Sequence, residues 1–238
     1  MLKLNRKKKK YIILSIIYKI SKIIPFTLKF KFIFFSNLSW IFNRLAFETS
    51  NEFVNTEHIS KTESVFFFKN YINKNDRILD IGCGSGEKSF LISKYCKELV
   101  GIDYSNELIN MAKIKYSNFK NIIFLNMDLH DLTSNKEINY YDVVFLSHIL
   151  EHVENTSNFL KLVRNLGDKI LIEVPDFDSN ILNLFRKNEH LGINYTDDDH
   201  VYEFDSKSLI EILHNNEYEV SAIENKHGVI RIVAHKRK

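Results

Sequence analysis

Four short blocks of this chain carry residues able to do chemistry. The first, ILDIGCGSGEKSF (residues 78–90), runs an apolar stretch into Gly82, Gly84 and Gly86 and then into helix-forming residues. Glycines so placed let the backbone turn tightly at a strand's carboxyl end and approach a ligand closely. The spacing is GxGxG rather than the GxGxxG that seats a pyrophosphate, and Asp80 stands at the strand's end, where an anion suits a cationic ligand. The second block, GIDYS, ends in Asp103 and Tyr104; the third, NMDL, holds Asp128 and Leu129; the fourth, YDVVFLSHILEHV, holds Ser147, His148 and His152. Each block has a plainer reading, since a glycine loop can be a bare turn and an acid after a strand can cap a helix. Their order at successive strand ends favours a ligand site.

The blocks together resemble the class I S-adenosylmethionine-dependent methyltransferases, in particular their small-molecule branch, over residues 77–234. The resemblance implies roles residue by residue. Gly82, Gly84 and Gly86 would pass beneath the cofactor, with Asp80 associated with its amino-acid end. Asp103 would accept from both ribose hydroxyls, and Tyr104 would pack on adenine. Asp128 would accept from the adenine amino group beside Leu129, and Ser147 and His148 would line the methionine pocket. S-adenosylmethionine would be the cofactor and S-adenosylhomocysteine the product.

Methyl transfer to a hydroxyl needs an acceptor held in line and a group that takes a proton, most often histidine. Of nine histidines, His200 in DDDHVYEF is the first choice as base, on the family's acceptor side, and His152 the second. The segment HILEH also fits the HxxEH pattern of a zinc protease. It starts at the end of a predicted strand inside a methyltransferase pattern, so that reading is set aside. No metal is assigned, although metal-assisted transfer through Glu151 and His152 stays open. Asp197, Asp198 and Asp199 could bind an amine or a metal, but a solvated acidic loop is the favoured reading. The (D/N)PP(Y/F) block of base-methylating enzymes is absent after the fourth strand, which argues against nucleic-acid bases as acceptors. In the family the acceptor pocket varies between residues 175 and 200; Phe177, Phe185, Tyr195, Tyr202 and Phe204 there suit a modest organic molecule. Relatives with an apolar basic extension suggest a sugar hydroxyl or phosphoryl-linked oxygen of a surface-polysaccharide precursor.

The elements that must position these residues alternate. Strands are predicted at 77–81, 99–103, 121–125, 142–147 and 169–174, with helices at 87–95, 106–116 and 156–166 between them. A polar insertion follows to Asp199, then a helix at 206–214 and strands at 218–224 and 229–234. The four-residue link between those last two is too short for a crossover, so they pair antiparallel. The expected fold is α/β, a doubly wound Rossmann-like sheet of seven mostly parallel strands with an antiparallel last strand.

The 238 residues are 45% hydrophobic and 26% charged, enough to bury a core and unlike a disordered chain. The net charge of +3 conceals an asymmetry. Residues 1–50 hold eleven Lys and Arg against Glu48, a net +10, which leaves −7 for the rest. Residues 1–58 are predicted as a basic, aromatic-rich helical extension and 59–238 as the catalytic domain, joined by a polar connection at 49–61. The start resembles a signal peptide, but Lys19 and Lys22 interrupt its apolar run and no small-residue cleavage site follows. Those lysines and Pro25 also argue against a membrane span. Cys83 and Cys96 read as reduced thiols of a cytoplasmic protein. The extension is expected to pack, on the domain or in a homodimer; the rival reading is peripheral contact with the inner membrane face through Lys3–Lys10 and an isoleucine face. Specific nucleic-acid binding is not expected from one short lysine block beside an acidic body.

Overall fold

The computed structural model describes residues 12–54, 58–134, 140–194, 196–197 and 199–237. By its internal contacts the chain forms two units, Met1–Arg44 and Leu45–Lys238.

In the larger unit the β-branched runs become strands, the central ones buried on both faces and the outer β3 and β6 partly exposed. The strands β1 (Arg77–Ile81) and β2 (Glu98–Asp103) are buried after their first residue, as a parallel sheet covered by helices requires. They are joined by β3 (Ile122–Asn126), β4 (Tyr141–Ser147), β5 (Gly167–Pro175), β6 (Tyr218–Lys226) and β7 (Val229–Lys236). The sheet order is β3-β2-β1-β4-β5-β7-β6; β7 runs antiparallel to both its neighbours and every other pairing is parallel. The predicted seven-stranded Rossmann-like sheet is the observed one.

Alternate residues feed two cores. Leu79, Ile81, Val144 and Leu146 pack beneath Leu160 and Val163 of α7 (Thr156–Arg164) and Leu209 and Leu213 of α9 (Ser206–Asn215). On the other face Ile78, Leu99, Val143 and Phe145 meet α3 (Ile59–Phe68), α4 (Glu87–Ser93) and α5 (Asn106–Lys115). The chain winds one way from β1 to β3 and the other way from β4, so the crevice between the carboxyl ends of β1 and β4 is the topological switch point where such sheets bind ligands.

Several expectations need correction. Residues 49–54, expected in a polar connection, belong to a helix, and Ile59 already opens α3. The expected insertion after Pro175 contains α8 (Ile181–Asn188), capped by the Asn180 side chain. Its buried Asn183 exchanges two hydrogen bonds with the Asn194 backbone, at 2.7 and 2.9 Å. The apolar run ILNLF at residues 181–185 was the sequence signal for this helix. A further short helix, α6 (Leu129–Ser134), follows Asp128.

In the N-terminal unit α1 (Ile12–Ile23) stops before Pro25, as expected of a residue that cannot continue a helix. The second helix, α2 (Leu28–Val54), runs on beyond the unit's end at Arg44. Many large apolar side chains are exposed on these helices, among them Ile17, Ile20, Ile23, Phe30, Phe34 and Phe42. Among the described residues no helix is long and apolar enough to cross a membrane.

The fully buried Phe68 ring packs edge-on against Phe145 at 5.3 Å, fastening α3 to the sheet. Phe68→Ala is expected to cost about 3–5 kcal/mol through the cavity it leaves. Thermal unfolding should show a Tm lowered by on the order of 10 °C.

Candidate active site

The parallel strands end together, so the four blocks meet at one edge of the sheet. Gly82, Cys83 and Gly84 turn over the end of β2, with Gly82 and Cys83 N–H groups donating to Ile102 O at 2.8 and 3.0 Å. Asp103, at the end of β2, accepts from Gly84 N–H at 2.9 Å and from Ser105 N–H at 2.8 Å. One carboxylate oxygen therefore holds the glycine loop and the other the start of α5. Two oxygens with about four lone-pair sites keep further acceptor capacity for a diol.

Gly84 and Gly86 differ in what surrounds them. Both have positive φ, +56° and +81°. A Cβ on Gly86 would lie 2.5 Å from Phe124 Cζ, whereas a Cβ on Gly84 would meet nothing within 4 Å. The space above Gly84 is open, room that a side chain there would enter.

Asp80 lies beneath the loop, 2% exposed, and accepts from Ser89 Oγ on α4 at 2.5 Å. Burial pushes its carboxyl up to about 7, with the Ser89 hydrogen bond and Lys88 opposing the rise. An acid so poised is ionised readily when a cation arrives. Tyr104 is 84% exposed beside Asp103. Its carbonyl and that of Asp103 accept from Asn126 Nδ2 at 2.9 and 3.0 Å, a clamp between β2 and β3 that sequence reading missed. Asp128 caps α6 through Asp131 N–H at 2.7 Å, and Leu129 is buried in the core.

Sequence reasoning also missed a row of charge across four strands. The registers place Ser147 beside Glu173, Glu173 opposite Arg231 and Arg231 opposite Glu224. Arg231 donates to Glu173 at 2.6 Å and to Glu224 at 2.7 Å, while Lys88 from α4 pairs with Glu173 and donates to Ser147 Oγ at 2.6 Å. The signal was present: Glu173 in ILIEVP and Arg231 in VIRIVA are lone charges inside apolar strands. Burial alone would raise the Glu173 carboxyl, but Lys88 and His148 hold it well below the usual range.

His148 adopts φ 56°, a left-handed conformation that costs a non-glycine residue strain and aims its ring along this row. Its Nδ1 lies 3.1 Å from Glu151 Oε1 and its Nε2 3.3 Å from Glu173 Oε1. Burial works against the imidazolium, yet the two carboxylates prevail and raise its pKa. One turn on, the rings of His152 and His200 meet edge to face at 4.8 Å. The chain around His200 is docked there by Val201 and Tyr202 N–H groups donating to Glu151 O. Of the aromatic residues expected around an acceptor, Phe185 and Tyr202 are exposed. Phe177 and Phe204 are buried, joined by a backbone hydrogen bond, and serve packing instead. Tyr195, Asp198 and Lys3–Lys10 lie outside the described residues.

A methyltransferase-domain family profile matches residues 52–223. The chain belongs to the class I S-adenosylmethionine-dependent methyltransferases. The chain is 32% identical over 89 residues, 37% of each protein, to the ubiquinone biosynthesis O-methyltransferase of Coxiella burnetii. The curated relatives it matches are covered over 21% to 49% of their length. Two solved structures share the fold at low identity. The YcgJ protein of Bacillus subtilis is 16% identical with a TM-score of 0.57, covering 74% of this chain and 99% of that one. The magnesium protoporphyrin IX methyltransferase of Synechocystis, with bound S-adenosylhomocysteine, is 17% identical with a TM-score of 0.56, covering 74% and 82%. The cofactor of this family is S-adenosylmethionine, and the open cradle at Gly84, the anchored Asp103 carboxylate and the buried Asp80 fit it.

The two glycines give a discriminating pair of substitutions. Gly86→Ala should lower Tm sharply, because its Cβ collides with Phe124. Gly84→Ala should cost only the left-handed backbone penalty of about 1–2 kcal/mol, yet weaken S-adenosylhomocysteine binding at least tenfold by calorimetry.

Proposed function

We propose that the chain transfers a methyl group from S-adenosylmethionine to an oxygen of a small molecule. The observation that carries this reading is the Asp103 carboxylate, fastened by two backbone N–H groups beside an open glycine cradle. The cofactor supplies a methyl group made electrophilic by its sulfonium. The chain's own residues hold and orient. Asp103 takes the ribose hydroxyls, Tyr104 covers the adenine with Asp128 at its edge, and Asp80 takes the cationic amino-acid end. Ser147 and His148 border the methionine portion. His200 and His152 handle the proton that the acceptor hydroxyl loses, and the contact of His200 Nδ1 with Glu203 Oε1 at 3.0 Å supports such a role. For the acceptor, a sugar hydroxyl or phosphoryl-linked oxygen of a surface-polysaccharide precursor is the first choice, supported by the basic apolar extension alone.

Wild-type protein should bind S-adenosylhomocysteine by calorimetry. Asp103→Ala should weaken binding at least about 100-fold, since two charge-assisted hydrogen bonds are lost. Because the Asp80 carboxyl sits near pH 7 and its ionised form suits the ligand's ammonium group, affinity should rise between pH 6 and pH 8 by up to about tenfold. Asp80→Asn should flatten that rise. A wild type that binds nothing would end the reading; one that binds yet methylates no acceptor in a metabolite screen would be a cofactor-binding module.

A second reading, a membrane-surface enzyme acting on a lipid or quinone-like acceptor, is favoured by the exposed aromatic and isoleucine side chains of α1 and α2. The ubiquinone-pathway name of one relative points the same way. Full-length protein should then pellet with vesicles containing anionic lipid, and Phe30→Glu with Phe34→Glu should abolish pelleting. Equal pelleting of both proteins would rule this contact out.

A further inference from the structure

We propose that Glu151, His152 and His200 form a binding site for one divalent transition-metal cation beside the methyl-transfer centre. Among the described residues these three offer ligand atoms that lie within 4.8 Å of one another. An independent observation points to a ligand: Glu151 is 1% exposed, and its Oε2 is buried without any hydrogen-bond partner. A buried carboxylate oxygen left unpaired carries its full desolvation penalty, and a cation removes that cost.

Each candidate ligand is oriented through its other polar atom. Glu151 Oε1 is engaged by His148 Nδ1 at 3.1 Å, which leaves Oε2. His200 Nδ1 is engaged by Glu203 Oε1 at 3.0 Å, which leaves Nε2, and Glu203 is itself held by Thr196 Oγ1 at 2.9 Å. His152 Nδ1 faces the Asp199 carboxylate at 3.4 Å, which again leaves Nε2. Carboxylates behind two imidazoles are the usual outer support of metal-binding histidines, fixing the tautomer and raising the basicity of the other nitrogen. The two halves of the site are joined by the Val201 and Tyr202 N–H bonds to Glu151 O. Ligand arms of about 2.0–2.2 Å require the set to close by about 1 Å. His152, whose side chain is 34% exposed, is the ring with room to turn.

Two imidazoles and one carboxylate suit Zn²⁺ best, and Mn²⁺, which leans toward oxygen donors as Ca²⁺ and Mg²⁺ do, serves as the weaker paramagnetic probe of the same site. Three protein ligands leave positions for an acceptor oxygen. A cation there would replace the base role proposed above for His200 and His152: it would lower the pKa of an acceptor hydroxyl held beside it, whose proton would pass to solvent. This catalytic role rests on the methyltransferase reading; the cation site does not.

Metal-stripped full-length protein titrated with Mn²⁺ should show one site by calorimetry and quench the free Mn²⁺ electron paramagnetic resonance signal stoichiometrically. Zn²⁺ should compete for that site. Glu151→Gln and His200→Ala should each weaken Mn²⁺ binding at least tenfold while S-adenosylhomocysteine still binds, which shows that the variants are folded. The more exposed His152→Ala serves if either of them loses both ligands. Wild type that takes up S-adenosylhomocysteine but neither Mn²⁺ nor Zn²⁺, or variants that bind Mn²⁺ as well as wild type, would overturn the proposal. Mn²⁺ uptake without S-adenosylhomocysteine uptake would instead uphold the site and remove the methyltransferase reading.

Discussion

The buried Glu173 carboxylate is the interaction on which the site's architecture turns. At 1% exposure it is paired with Arg231 and Lys88 and lies in reach of His148. Those partners come from β7, α4 and the residue after β4. A buried charge is tolerated only when it is paired and hydrogen-bonded, and removing one partner from such a set costs about 3–5 kcal/mol. The antiparallel β7 is therefore needed in one register, because only that register sets Arg231 opposite Glu173. The same constraint holds Lys88, on the helix that follows the glycine loop, against the end of β4.

Around this row the electrostatics of the edge are graded. Asp80 is poised near neutrality by burial, whereas Asp103 is satisfied by two backbone donors. His148 is held toward its charged form by Glu151 and Glu173. The negative groups nearest the glycine loop suit a cationic ligand, and the imidazoles lie further along the same edge. His148, one of four non-glycine residues with a left-handed backbone among the described residues, turns the chain from β4 into the segment bearing Glu151 and His152.

The N-terminal 44 residues obey a different rule. Their helices leave many isoleucine and phenylalanine side chains exposed, and residues 1–50 carry a net +10 against −7 for the rest of the chain. Exposed apolar side chains in such number are characteristic of a surface that meets something else.

The sequence by itself determined the sheet and the edge that binds. Apolar β-branched runs alternating with helical segments leave a parallel sheet as the economical arrangement, and β1 is observed with the bounds its residues predict. The glycines, Asp80 and Asp103 were legible because local backbone geometry and strand-end position are encoded within a few residues. Helix α8 fell inside a stretch read as polar although residues 181–185 read ILNLF; its Asn183 and Arg186 fasten it to the loop that follows, at Asn194 and Gly192. What only the tertiary structure decided was the company each charge keeps. Lys88, Glu173 and Arg231 are up to 143 positions apart in sequence, and so are brought together only by strand register and by the packing of α4. Likewise Glu151 and His152 meet His200 through two backbone hydrogen bonds that no local pattern announces. Pairing of this kind depends on distances across the fold, and those exist only once the chain has closed on itself.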